Sequence, residues 1–180
     1  MSVQQIVDRL LSQHSADHVV ITGGEPMLPR EMPELCAALS QAGKHITIET
    51  AGTIFQELVC NLMSISPKLG NSTPPESRAG DWTRRHEANR FRPEIVRQLI
   101  DRHDHQLKFV IDQPGDIDSI IDYLAQVKPV RPDRVMLMPQ GIDATALAEK
   151  EKWIGPICDE HGFKLCQRMH IQWYGNTRGT

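Results

Sequence analysis

The sequence predicts a parallel α/β fold, and three observations carry that reading. Short β-branched or alternating runs recur along all 180 residues. Amphipathic helical patterns separate most of them, the order that builds right-handed βαβ units. Glycine or proline stops nearly every run. No linker, internal repeat or low-complexity tract divides the chain, so residues 1–180 are expected to form a single domain.

Val3, Ile6, Val7, Leu10 and Leu11 recur at helical spacing and predict a helix over 3–13. His18 to Thr22 reads as a β-branched strand, broken by Gly23-Gly24-Glu25-Pro26. Leu35, Ala38 and Leu39 mark a second helix ending near Gly43. His45 to Glu49 alternates with strand period and is followed by Gly52. Leu62 to Ser66 is a third strand, stopped by Pro67. Residues 67–90 read as a long polar loop, a length that is usually functional or mobile. Pro93 suits the first turn of a helix to about Arg102. A strand over Gln106 to Ile111 follows, then a helix through Ile117, Ile120, Ile121 and Leu124. Arg134 to Met138 is a strand ended by Pro139. Thr145 to Ile157 is a helix with a kink expected at Gly155-Pro156, and Phe163 to Cys166 is a last short strand. The tail from His170 carries Trp173, Tyr174 and Arg178. Aromatic residues seek burial, so the tail is expected to pack back on the domain with its terminal carboxylate near the site.

Composition narrows the class. Hydrophobic residues make up 39% and charged residues 24%, as in ordinary globular proteins. A net charge of −3 gives no electrostatic reason to expect nucleic acid as a partner. No apolar run reaches membrane length. The amphipathic start, with Asp8 early in it, is not a secretory signal, and a cytoplasmic location is expected. Cys36, Cys60, Cys158 and Cys166 form no C-x-x-C pair, and Cys36 and Cys166 read as buried structural thiols. His103 and His105 alternate but lack a third ligand, so they read as surface residues and not as a metal site.

Parallel sheets bind ligands at the carboxyl ends of their strands, and the motifs fall there. Thr22-Gly23-Gly24-Glu25-Pro26 follows the first strand, and its two glycines let backbone approach a small zwitterion. Glu49 projects at the end of the second strand. Ser66-Pro67-Lys68 follows the third and offers a compact cation for a carboxylate or phosphate. Lys108 lies inside the fourth strand, where a charge must face either a site or solvent. Met138-Pro139-Gln140-Gly141 ends the fifth.

Each motif is weak alone, but their order is not. T-G-G-E-P, T-I-E-T-A-G-T, S-I-S-P-K, Q-L-K-F-V-I, L-M-P-Q-G and a tail of H-I-Q-W-Y-G-N-T-R-G-T together resemble the 7-carboxy-7-deazaguanine synthases. These are lyases of the radical S-adenosylmethionine superfamily that act in making queuosine and other 7-deazapurines. The resemblance runs from Ser2 to Thr180 and implies an incomplete parallel (β/α) barrel. It implies S-adenosylmethionine, a [4Fe–4S] cluster and Mg²⁺ as cofactors. It also implies 6-carboxy-5,6,7,8-tetrahydropterin as substrate and an electron donor such as flavodoxin or ferredoxin, while the sheet edge exposed by a missing first strand makes a homodimer a possible assembly. The residues matching the family's S-adenosylmethionine contacts are Gly24, Ser66, Pro67, Lys68, Met138, Pro139, Gln140 and Gly141. Thr22 and the terminal Thr180 match substrate contacts, and strand-end geometry adds Glu49 near the pterin.

The superfamily holds its cluster with C-x-x-x-C-x-x-C on a loop after the first barrel strand, and a nearby Thr helps to hold Mg²⁺. Neither feature occurs in this sequence. The chain reads as the family without its first βα unit. A start codon set too far downstream, a shortened gene or a unit supplied by a partner chain would each produce that pattern. The rival reading is a module that holds S-adenosylmethionine or a pterin without turnover.

Overall fold

Six strands pair in parallel and in chain order, β1 to β6, into one sheet. The structure, a computed structural model, describes residues 1–72 and 90–177. The strands are β1 (His18–Ile21), β2 (His45–Thr50), β3 (Leu62–Ile65), β4 (His105–Ile111), β5 (Val135–Pro139) and β6 (Lys164–Leu165). Among the described residues β1 and β6 are the edges, and the sheet does not close.

Local chemistry explains where the helices start and stop. Helix α1 (Val3–Gln13) opens on a capping box, in which Ser2 Oγ accepts from the Gln5 amide and Gln5 Oε1 from the Ser2 amide. Helices α2 (Met32–Gln41) and α3 (Pro93–Arg102) carry proline in their first positions, where a missing N–H costs nothing. Helix α4 (Asp116–Val127) follows β4. Helix α5 (Ala144–His161) is capped by Asp143, whose carboxylate accepts from the Ala146 amide, and it ends on left-handed Gly162. A six-residue helix α6 (Met169–Tyr174) closes the described chain.

Strands β2, β4 and β5 read buried and half-buried in alternation, which sorts the sheet into two faces. Ile46, Ile48, Met63, Ile65, Leu107, Phe109, Ile111, Val135 and Leu137 form one face and are sealed from solvent. They pack against Val7, Cys36, Leu39, Val96, Leu99, Ile120, Tyr123, Ile154 and Cys158 of the helices. Glu49, Ser64, Gln106, Lys108 and Met138 occupy the opposite face. One face is thus core and the other is chemistry.

Several expectations change at the boundaries. Helix α5 runs through Gly155-Pro156 to His161, past the end expected at Ile157. Pro156 is exposed, so the carbonyl it leaves unpaired four residues back is on the solvent side. His103 and His105 are half-buried and not surface residues: His103 Nδ1 lies 3.6 Å from Cys60 Sγ, and His105 Nδ1 lies 3.1 Å from the His103 carbonyl. The tail is the larger correction. Ile171 alone is buried in α6, while Trp173 is 66% and Tyr174 54% exposed. A short helix buries one side, and Trp173 stands half a turn from Ile171. The long loop predicted over 67–90 lies, from 73 to 89, outside the described residues.

Gly52 shows how closely the core approaches the strand ends. Its φ is +71°, and a Cβ there would stand 2.7 Å from Val96 Cγ2 and 2.9 Å from Ile65 Cγ2. Gly52→Ala must push a strand and a helix apart in a close-packed interior, so it should lower unfolding free energy by about 1–3 kcal/mol. A urea titration checks this, and an unchanged midpoint would show that the contact yields freely.

Candidate functional site

Four turns follow the carboxyl ends of β1, β2, β3 and β5, and hydrogen bonds tie them to one another. The first turn is fastened by Glu25. Its carboxylate accepts from Thr50 Oγ1 at the end of β2 at 2.7 Å, and from the Ala51 amide at 3.0 Å and Thr53 Oγ1 at 3.3 Å on the loop that follows. It also accepts from the Met27 amide at 3.1 Å. Gln56 returns the tie by donating to the Met27 and Pro29 carbonyls, the latter at 2.9 Å. Thr50 Oγ1 in turn accepts from the Gly52 amide. A carboxylate with four donors is held in one place, because charge-assisted bonds are short and strong.

The third turn is tied on both sides. The Ser66 amide donates to the Thr50 carbonyl at 2.8 Å and its hydroxyl to the Lys108 carbonyl at 3.0 Å. The turn after β5 is tied to β4 by the Gln140 amide, which donates to the Ile111 carbonyl at 2.9 Å. Lys150 of α5 reaches over it, donating to the Gln140 carbonyl at 2.7 Å and pairing with Asp112.

These turns enclose a cleft of about 230 Å³ lined by Thr22, Gly23, Gly24, Glu49, Ser64, Ser66, Lys68, Lys108 and Met138. A second space of about 300 Å³ adjoins it, lined by Pro67, Lys68, Ser72, Asp112 and Gln140, and Lys68 and Val110 belong to both. A Cβ added at Gly24 would meet nothing within 4 Å, so this residue opens on the cleft. Gly23 has φ +146°, a conformation that side chains resist.

The electrostatics centre on two lysines. Lys108 is 18% exposed and its Nζ lies 3.2 Å from Glu49 Oε1. Lys68 is half-buried, and its ammonium has no ion-pair or hydrogen-bond partner among the described residues. Burial first, and the Lys108 charge second, hold the Lys68 pKa below its ordinary 10.5, while Glu25 and Glu49 pull it back up. Deeper on the same face Gln106 Nε2 donates to Ser64 Oγ at 2.9 Å.

The structure brings together Thr22, Gly24, Glu49, Ser66, Pro67, Lys68, Met138 and Gln140 around the two adjoining spaces. It does not bring Pro139 and Gly141 to the lining. Pro139 is buried on the core face of β5, and Gly141 backs onto Leu147. Thr180 lies outside the described residues. Sequence reasoning missed Glu25 as the clamp, although it stands inside the motif that drew attention. It noted Lys108 without assigning it, and the alternation Leu107-Lys108-Phe109 was the available signal.

The cysteines do not suit a metal cluster. Cys36 and Cys158 sit on helices, Cys60 precedes β3 and Cys166 follows β6. Burial raises the first three thiols to about 11 and pushes Cys166 up as well. They are protonated at neutral pH, and cluster ligation needs converging thiolates. No group of three or more His, Cys, Asp or Glu able to hold a metal occurs among the described residues.

The Glu25 clamp gives a direct expectation. Glu25→Gln replaces one acceptor oxygen by an N–H₂ that faces the donors it formerly satisfied. It should cost about 1.5–3 kcal/mol in unfolding free energy and speed amide exchange at Ala51. Wild-type exchange at Ala51 would mean that the loop holds without the carboxylate.

No protein-family model matches the chain. It is 38% identical over 173 residues to the 7-carboxy-7-deazaguanine synthase of Rhodopirellula baltica, covering 96% of this chain and 67% of that protein. Against the 7-carboxy-7-deazaguanine synthase of Halobacterium salinarum the identity is 37%, over 95% of this chain and 70% of that one. The crystal structure of QueE from Escherichia coli shares the fold, with a TM-score of 0.66, 23% identity, and coverage of 93% of this chain and 64% of that chain. At that identity the likeness speaks to fold alone, whereas the two relatives carry the sequence evidence. This chain belongs to the 7-carboxy-7-deazaguanine synthase family.

Proposed function

We propose that the cleft holds S-adenosylmethionine and 6-carboxy-5,6,7,8-tetrahydropterin side by side. The activity it serves is the radical ring contraction to 7-carboxy-7-deazaguanine, with loss of ammonia. The observation that carries this reading is a half-buried Lys68 ammonium, without a partner among the described residues, near a glycine turn that opens on the same cleft. A cation with no partner among the described residues suits a ligand carboxylate, and exposed Gly23 and Gly24 backbone suits the amino-acid end of the cofactor. S-adenosylmethionine, when bound with a reduced iron–sulfur cluster, supplies the radical chemistry. In this reading Mg²⁺ and the cluster take ligands other than Cys36, Cys60, Cys158 and Cys166. The sheet is read as part of an incomplete (β/α) barrel whose polar face turns inward.

The chain's own residues bind and orient. Gly24, Ser66, Pro67 and Lys68 hold the methionine end, while Met138 and Gln140 flank the adenosine, with Pro139 and Gly141 shaping the turn behind them. Thr22 and Glu49 face the pterin, and the terminal Thr180 completes that side. Ser66 and Lys108, joined by one hydrogen bond, keep the two ligands in register, because a small misplacement between reacting groups is expensive in rate.

Two outcomes test this. Gly24→Val adds a side chain whose Cβ meets no protein atom within 4 Å, so the fold should hold while S-adenosylmethionine affinity, read by calorimetry, falls about tenfold or more, a loss of about 1.4 kcal/mol. An unchanged dissociation constant in the folded variant would remove the cofactor from this turn. The second outcome concerns pH. The folded-state pKa of Lys68 lies below its unfolded value, so its charge opposes folding at neutral pH, and that opposition fades as pH rises toward 10.5. Lys68→Met should therefore not destabilise the chain. It should weaken cofactor binding at pH 7 and abolish the alkaline loss of affinity that the unaltered chain shows as Lys68 deprotonates. Retention of that alkaline loss would assign it to another group.

A further inference from the structure

Lys108 sits in the middle of a strand whose neighbouring side chains, Leu107 and Phe109, are fully buried. Lys108 points the other way, onto the polar face, where a largely buried ammonium opposes folding unless something compensates it. Among the described residues the compensation is one contact, to Glu49 Oε1 at 3.2 Å. Glu49 is 41% exposed, so this pair is too solvated to matter much for stability. The other oxygen of Glu49 has no protein partner among the described residues, and Glu49 lines the cleft. The Lys108 carbonyl meanwhile accepts from Ser66, the residue that opens the S-P-K turn. One residue thus fixes a carboxylate on one side and a cofactor turn on the other.

We propose that Lys108 is a positioning residue: it pins one oxygen of Glu49 so that the other points at the N–H edge of a 2-amino-4-oxopyrimidine ring in the substrate. The proposal rests on reading Glu49 as a substrate contact. A free glutamate at a strand end samples several rotamers, and ordering it on binding would cost affinity. With Oε1 tied down, the acceptor is set before the ligand arrives. A carboxylate so fixed favours ligands with adjacent lactam and exocyclic amine donors and rejects those that present acceptors there.

The test is a double-mutant cycle in the full chain, read by calorimetry with 6-carboxypterin as probe at saturating S-adenosylmethionine. Glu49→Gln and Lys108→Met should each lose about tenfold in pterin affinity, and the double variant should lose no more than Glu49→Gln alone. Lys108→Arg should restore affinity to within about threefold, since it keeps a donor to the same oxygen. S-adenosylmethionine affinity should stay within about twofold throughout. Should Lys108→Met fail to fold, Lys108→Gln enters the same cycle. Additive losses would overturn the proposal by giving Lys108 a contact of its own. Wild-type pterin affinity in Lys108→Met, beside a weakened Glu49→Gln, would overturn it by leaving Lys108 idle. A Glu49→Gln variant that binds as the unaltered chain does, or an unaltered chain that does not bind 6-carboxypterin, would overturn the reading of the site on which it stands.

Discussion

The Glu25 carboxylate is the contact on which the arrangement of the cleft depends. A turn rich in glycine has no side chains with which to hold itself, and glycine loses more freedom on ordering than other residues. Glu25 removes that freedom by accepting from the loop after β2 and from its own turn. Gln56 secures the far end of the same turn. The backbone of Gly23 and Gly24 is left facing the cleft in a fixed place, which a ligand-binding turn requires. The bond from the Ser66 amide to the Thr50 carbonyl carries the constraint on to β3.

A second constraint divides the sheet. Strand alternation places every other residue against the helices, where isoleucine, leucine, methionine and phenylalanine are sealed. The alternate residues must then accommodate whatever the opposite face meets. Here they are Glu49, Ser64, Gln106 and Lys108, and they bond to one another in pairs, Lys108 with one oxygen of Glu49 and Gln106 with Ser64. Lys68 at the rim is the exception, a cation with no partner among the described residues. An unsatisfied polar group in a satisfied surface is where a ligand fits.

Much of this was legible from the residues. The alternation of strand and helix patterns gave the parallel order, and the turns after β1, β2, β3 and β5 fell where strand-end motifs were expected. What escaped was mostly long-range or set by packing. The partners of Glu25 lie 25 to 28 residues further on, and no local pattern announces such a contact. Trp173 and Tyr174 looked like core residues by type, but a helix of six residues has one buried side and Ile171 occupies it. Helix α5 was expected to end at Ile157, yet it runs to His161, and its exposed side tolerates the donor missing at Pro156. Pro139 stood inside a recognised motif, but the strand's own alternation turned it toward the core.

The account's central claim is that the polar face of the sheet, at the carboxyl ends of its strands, is where the ligands bind. Hydrogen exchange measured with and without S-adenosylmethionine tests it most directly. The account predicts slowed exchange at the amides of residues 22–25, 66–69 and 140–141, with the helix-facing core unchanged. Protection confined to the helices, or none at these turns at a ligand concentration that binds, would contradict it.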